Sequence, residues 1–172
     1  MRDLKEIVRD IPDFPKEGIV FKDITPLLKD PEAFAKIIDV IADKYAENGV
    51  DVVIGAEARG FILGAAIAYR LKAGFVPARK PGKLPHTVTK AEYELEYGID
   101  SLEVHEDAIT RHQRVLIVDD VLATGGTAKA KAELVGQLGG TVVGIAFLIE
   151  LAFLGGRSKL GDFNVFSLIT YE

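Results

Sequence analysis

The sequence predicts one α/β domain, a parallel sheet with helices on both faces. Three observations predict it. Val52-Val53-Ile54 and Val115-Leu116-Ile117-Val118 are apolar at every position, the pattern of strands covered on both sides. Each run leads into a glycine-containing turn and then a segment with helical spacing, so strand, turn and helix follow one another at both places. The 172 residues carry no repeat or low-complexity linker, which fits one domain, 1–172, large enough to bury a substantial core.

Taken in order, Leu4, Ile7, Val8 and Ile11 keep helical spacing and predict an opening helix that ends at Pro12. Asp30-Pro31 opens a second helix, with Asp as cap and Pro in the first turn. Phe34, Ile37, Ile38, Ile41 and Tyr45 share its inner face, and Gly49 closes it. Strands are expected near 51–55, 74–78, 115–119, 142–149 and 164–170, with helices near 60–71 and 127–138. From Tyr93 to Val104 apolar residues alternate with acidic ones on either side of a turn, which reads as a hairpin covered on one face.

Composition narrows the function. With 21 Lys and Arg against 26 Asp and Glu, the net charge of −5 opposes long-range attraction to nucleic acid, so any anion site must be local. The absence of Cys excludes a disulfide framework and cysteine-based zinc or nucleophile chemistry, and suits a reducing, cytoplasmic setting. His86, His105 and His112 lack metal-ligand spacing. The opening Met1-Arg2-Asp3-Leu4-Lys5-Glu6-Ile7 is too charged for a secretory core, and no apolar run approaches the roughly 18 residues of a membrane span. A soluble protein without nucleic-acid or membrane partners is expected.

The chemistry concentrates where the run 115–118 ends, in Asp119-Asp120-Val121-Leu122-Ala123-Thr124-Gly125-Gly126-Thr127. In open α/β sheets ligands bind beyond the carboxyl ends of the strands, which is where this order puts the string. Gly125 and Gly126 permit positive φ and close backbone approach, so N–H groups at the start of the next helix can converge on one anion, aided by the hydroxyls of Thr124 and Thr127. Asp119 and Asp120 can accept hydrogen bonds from vicinal hydroxyls, and their charge favours a cation developing on the same sugar. A ribose 5-phosphate fits both halves. The Walker Gly-Lys-Ser/Thr is missing here, and in Gly55 to Gly60 the next residue is Phe61 where Lys would be needed, so triphosphate hydrolysis is disfavoured.

Two acidic residues followed by Thr-Gly-Gly-Thr resemble the phosphoribosyl-diphosphate motif of the type I phosphoribosyltransferases, and Val118 to Thr127 is most similar to the adenine-using branch of that family. The 6-oxopurine enzymes carry an Asp where this chain has Ala123; uracil enzymes share the Ala, so other segments decide. Ile11-Pro12-Asp13-Phe14-Pro15 and Gly18 to Pro26 are similar to the branch's purine-binding segment. By residue type alone this reads more readily as a proline-bounded strand with one core Phe than as a base site. The resemblance implies that the backbone of Val20 and Lys22 reads adenine while Phe21 packs on the ring, and that residues 1–28 form a small hood.

Val52 to Phe61 is similar to the family's pyrophosphate loop, which implies a cis peptide between Glu57 and Ala58 and a diphosphate-binding Arg59. Without the resemblance Arg59 is equally the first solvated residue of an amphipathic helix. Val76 to Pro85 holds a local cationic cluster, from which the resemblance assigns Arg79 and Lys83 to the pyrophosphate, one of them reaching across a homodimer interface. Leu95-Glu96-Tyr97-Gly98 matches a flexible flap, residues 84–106, that closes over the reacting centre. Closure would exclude water, with Glu96 handling the proton at the purine and Tyr97 nearby. On sequence alone Glu96 is as readily a solvated carboxylate on the outer hairpin face.

The implied reaction joins adenine to 5-phosphoribosyl 1-diphosphate, giving AMP and pyrophosphate. Mg²⁺ is the implied cofactor, carried on substrate oxygens and waters and not in an all-protein cage. The alternatives are transfer to another nucleobase, or a non-catalytic regulator binding the same phosphoribosyl donor. A transcriptional regulator would need a basic face or an added helix-turn-helix, and neither is visible. A phosphatase or kinase would need the Asp-x-Asp nucleophile pattern or the Walker Lys, and both are missing.

Overall fold

The computed structural model describes residues 3–95 and 98–172. In chain order they form α1 (Leu4–Ile7), β1 (Arg9–Ile11), β2 (Phe21–Asp23), α2 (Thr25–Lys29), α3 (Pro31–Tyr45), β3 (Val52–Ala56), α4 (Arg59–Leu71), β4 (Gly74–Ala78), β5 (Val88–Leu95), β6 (Gly98–His105), β7 (Arg114–Leu122), α5 (Gly126–Gln137), β8 (Thr141–Leu151) and β9 (Val165–Tyr171). Five strands make one parallel sheet in the order β4-β3-β7-β8-β9. The central strand, β7, carries the acidic pair at its carboxyl end.

The apolar run in β7 feeds both faces of the sheet because successive side chains point to opposite sides. Val115 and Ile117 join Leu134 and Val135 of α5 and Phe147 of β8 in one core; Leu116 and Val118 join Ile37 and Ile41 of α3 and Leu63 and Ile67 of α4 in the other. All four strand residues are fully buried, each contributing about 1.5–3 kcal/mol relative to exposure. α3 begins as its sequence indicates: the Asp30 carboxylate accepts from the N–H groups of Glu32 and Ala33 at 3.0 Å each, Pro31 follows, and Gly49 takes φ 59° just after the helix.

The opening segment departs from expectation. α1 stops at Ile7, and Arg9–Ile11 extends to pair antiparallel with Phe21–Asp23. A short helix with only Leu4 buried gains little from a further turn, whereas the extended chain gains a strand partner. α2 was also not expected from the periodicity; Pro26 in its first turn supplies helical φ and needs no hydrogen-bonded N–H.

β5 and β6 form the expected antiparallel hairpin, from Val88 opposite His105 to Leu95 opposite Gly98. Its base is bound to the sheet by reciprocal backbone hydrogen bonds between Arg79 and Glu103, 2.9 and 2.8 Å. Glu96 and Tyr97, the flap residues singled out in the sequence, lie outside the described residues.

Candidate active site

The carboxyl ends of β3, β4 and β7 open into a cleft of about 380 Å³. Val20, Phe21 and Lys22 border it from the N-terminal strands, Glu57 and Arg59 from the β3–α4 turn, Tyr93 from the hairpin, and Asp119, Asp120, Ala123 and Thr127 from β7 and the turn after it. A smaller recess of about 70 Å³ continues from it, bounded by Asp119 and the residues from Val121 to Ala128. A larger open groove of about 700 Å³ lies over α1 and α3, but Asp30, Glu32, Asp39 and Asp43 face it against Lys36 alone, a balance that repels phosphates.

The recess has the construction of an anion site. Gly125 takes φ 82° and precedes α5 without any side-chain cap, so the first N–H groups of a 12-residue helix remain for a ligand. Thr124 is exposed, Thr127 half-buried, and both glycines are buried. The turn rests on Gly156: a Cβ on Gly125 would stand 2.4 Å from the Gly156 carbonyl oxygen, and a Cβ on Gly156 would stand 2.2 Å from that of Ala123. Two backbones touch directly here, which only glycine permits.

Adjacent positions on β7 send Asp119 and Asp120 to different partners. Asp119 Oδ2 accepts from Lys131 Nζ of α5 at 2.5 Å, and its Oδ1 accepts from the Asp120 N–H at 3.0 Å. Asp120 Oδ2 faces Arg59 Nε at 2.5 Å as an ion pair, yet accepts no hydrogen bond. Burial, with the neighbouring Asp119 charge, pushes the Asp120 pKa up to about 6 against the opposing pull of Arg59. The Arg59 guanidinium also stacks over Phe21, 5.1 Å from its ring centre.

The Glu57–Ala58 peptide is cis, as the resemblance implies. Glu57 Oε1 accepts from the Lys80 N–H at 2.8 Å and from Arg79 Nε at 3.3 Å. The Lys80 N–H is the main cause of a Glu57 pKa below the usual carboxylate range. Lys22 directs its ammonium to Asp10, at 2.7 Å, and over the Tyr171 ring, so its side chain is engaged outside the cleft.

Not every expected residue lines the cleft. Ala58, Arg79 and Lys83 are not on its wall; Arg79 is held by Glu57 and by the Lys83 carbonyl at 3.4 Å, and the Lys83 side chain is exposed. Three features escaped the sequence reading. Lys80 reaches the cleft and bonds both hairpin strands, donating to Tyr93 Oη at 2.7 Å and to the Asp100 carboxylate. Arg157 grips buried Glu150 and so holds the segment containing Gly156 behind the phosphate turn. Lys131 is fully buried beneath Asp119. Of the three, Lys131 had the clearest available signal, a lysine four residues after Thr127 on a face otherwise set for burial.

A parallel α/β sheet with paired carboxylates and an uncapped glycine turn at the end of its middle strand defines a phosphoribosyl-binding class. The phosphoribosyl transferase domain family matches residues 23–170, and the chain belongs to that family. An adenine phosphoribosyltransferase of Geobacter metallireducens is 60% identical over 171 residues, 99% of this chain and 100% of that one. The crystal structure of an adenine phosphoribosyltransferase from Thermoanaerobacter pseudethanolicus superposes with a TM-score of 0.95 at 56% identity, covering 98% of each chain. The enzyme of that name from Saccharomyces cerevisiae, solved with an imino-altritol bisphosphate and adenine, superposes with a TM-score of 0.91 at 45% identity over 96% of each chain.

Proposed function

We infer that this chain is a pentosyltransferase that joins adenine to 5-phosphoribosyl 1-diphosphate, forming AMP and pyrophosphate in purine salvage. The observation that carries the reading is the single rim on which buried Asp119 and Asp120 adjoin the uncapped start of α5. The complex of the yeast relative with an imino-altritol bisphosphate and adenine supports it.

In this reading Ala123 to Thr127 hold the 5-phosphate through backbone N–H groups and the two threonine hydroxyls. Asp119 and Asp120 accept from the ribose hydroxyls, and their charge stabilises the oxocarbenium character that develops as the bond from C1 to diphosphate breaks. The electron pair leaves with the diphosphate, and purine N9 attacks C1. Arg59, with Glu57 and Ala58 shaping its loop, binds the leaving group; it exchanges the Asp120 carboxylate for phosphate oxygens, which frees Asp120 for the sugar. Arg79 and Lys83 complete the diphosphate site. The exposed Lys83 side chain supports the idea that its target belongs to a second copy, in a homodimer. Ile62 and Tyr69 on α4, 45% and 87% exposed, offer an apolar surface for such a dimer.

Adenine is read by the backbone of Val20 and Lys22 with Phe21 against its ring, in a hood formed by residues 1–28. Occupation of the Lys22 ammonium by Asp10 and Tyr171 supports main-chain reading there. The hairpin of residues 84–106 closes as a flap, bringing Glu96 and Tyr97 to the base and excluding water, with Glu96 moving the N9 proton.

Among the described residues no group of three Asp, Glu, His or Cys side chains is arranged to hold a metal ion. Hard carboxylate oxygens and an open, polar cleft nonetheless suit Mg²⁺ carried by the diphosphate and its waters, with Arg59, Arg79 and Lys83 holding the diphosphate that bears it. When bound there the ion neutralises charge on the leaving group. Among the described residues no helix is long and apolar enough to cross a membrane. The cytoplasm is the proposed setting, supported by the purine-salvage reading of the site.

The test is to incubate the purified protein with phosphoribosyl diphosphate, Mg²⁺ and each free base in turn. AMP should form with adenine alone. Preferred use of hypoxanthine, guanine or uracil would overturn the base assignment, and donor binding without turnover would favour a regulator.

A further inference from the structure

Lys131 is the one basic side chain among the described residues that is buried, and it has no exposed surface. A buried ammonium is strongly disfavoured unless paired, so its surroundings define what it is there to do. It donates to Asp119 Oδ2 at 2.5 Å and to the Val118 carbonyl at 3.3 Å. Asp119 Oδ1 is meanwhile fixed by the Asp120 N–H, and α4 closes the other side so tightly that a Cβ on Gly60 would stand 2.8 Å from that oxygen. The carboxylate is therefore held from strand and helix together.

The backbone of Lys131 matters as much as its charge. It lies one helical turn beyond Thr127, so the same residue links α5, whose first turn makes the anion site, to the end of β7, which carries the carboxylates. The other charges at this end of β7 do not hold Asp119: Arg59 of α4 pairs with Asp120 and is needed for the diphosphate, and Lys80 pairs with Asp100 and Tyr93 of the hairpin.

We propose that Lys131 is a positioning residue for ribose recognition, aiming the Asp119 carboxylate at the sugar hydroxyls and fixing its distance from the 5-phosphate turn. The proposal rests on the phosphoribosyl-transfer reading of the site. Lys131 touches no substrate; it acts through Asp119.

The test compares the full-length chain with Lys131→Met, which keeps the length and apolar stem and removes the ammonium. Steady-state AMP formation is measured against each substrate, together with inhibition by AMP and by 2′-deoxy-AMP. The variant should raise KM for phosphoribosyl diphosphate by about 10- to 100-fold, the range typical of residues that orient a primary ligand. KM for adenine should stay unchanged, and the preference for AMP over 2′-deoxy-AMP should shrink by a similar factor. Added to Asp119→Ala, the lysine change should have no further effect, because the group it aims is already gone.

A folded variant with unchanged donor KM and unchanged deoxy discrimination would overturn the proposal. So would a uniform loss toward both substrates. Lys131→Gln serves if the methionine variant does not fold, and failure of both to fold would make the residue structural only. An unmodified chain that makes no AMP would instead overturn the underlying reading, before any variant is compared.

Discussion

Replacing Gly156 with alanine probes the phosphate turn from behind, with no contact to substrate. Gly156 lies outside the positive-φ region, so alanine is compatible with its backbone conformation and only sterics act. The new Cβ would stand 2.2 Å from the Ala123 carbonyl oxygen and 2.9 Å from the Gly125 nitrogen. Ordinary contact begins near 3.4 Å, so one backbone must retreat by about 1.2 Å. Arg157, anchored on Glu150 and on the Val165 carbonyl, resists movement of the Gly156 segment, which leaves the turn to shift. A displacement of about 1 Å at a positioned group can reduce turnover on the order of 100-fold, and overpacking destabilises by about 1–3 kcal/mol. For a chain of this size that corresponds to a melting temperature lower by roughly 2–12 °C. Coupled measurement of AMP formation should show kcat/KM for phosphoribosyl diphosphate down about 100-fold. Gly136→Ala, in α5 with nothing within 4 Å of its added methyl, is the control and should retain full activity. Wild-type kcat/KM in a folded Gly156→Ala protein would refute the idea that the Gly156 backbone sets the turn.

Asp120, with a pKa pushed up to about 6, should give kcat/KM an acid limb near pH 6, falling tenfold per unit below it; a limb below pH 5 would remove Asp120 from the rate-determining ionisation. Because the folded pKa lies above that of an ordinary aspartate, stability associated with this group is present at low pH and is lost as pH rises through about 6. Asp120→Asn should therefore be inactive yet more stable at pH 7, by at most roughly 3 kcal/mol, with the advantage shrinking towards pH 4; melting curves at the two pH values decide it. Lys83→Ala should lose activity while staying folded, and if its side chain serves a partner's site, mixing it with Asp120→Ala should restore about a quarter of the activity through mixed dimers. No recovery on mixing would confine Lys83 to its own protomer.

The sheet was legible because its strands are buried on both faces, which leaves uninterrupted runs such as 115–118 that few other structures need. The phosphate turn was legible for a related reason: Gly125 answers a local demand for positive φ at the start of α5, and local demands are written in local residues. The opening segment was not, since Leu4 to Ile11 has helical spacing while its second half is decided by a partner strand ten residues away. Long-range pairs were hidden for the same reason. Glu150 with Arg157, Lys80 with Asp100, and Lys131 with Asp119 are each ordinary charged residues until the fold brings them together. Lys83, read as a diphosphate ligand, stands exposed and away from the cleft wall in one protomer, so its role depends on an interface that no local pattern encodes.

Co-crystallisation with AMP examines the central claim most directly. The 5-phosphate should occupy the recess formed by residues 123–127, with the ribose hydroxyls on Asp119 and Asp120 and the base beside Phe21. A nucleotide bound elsewhere, with that recess filled only by water, would contradict it.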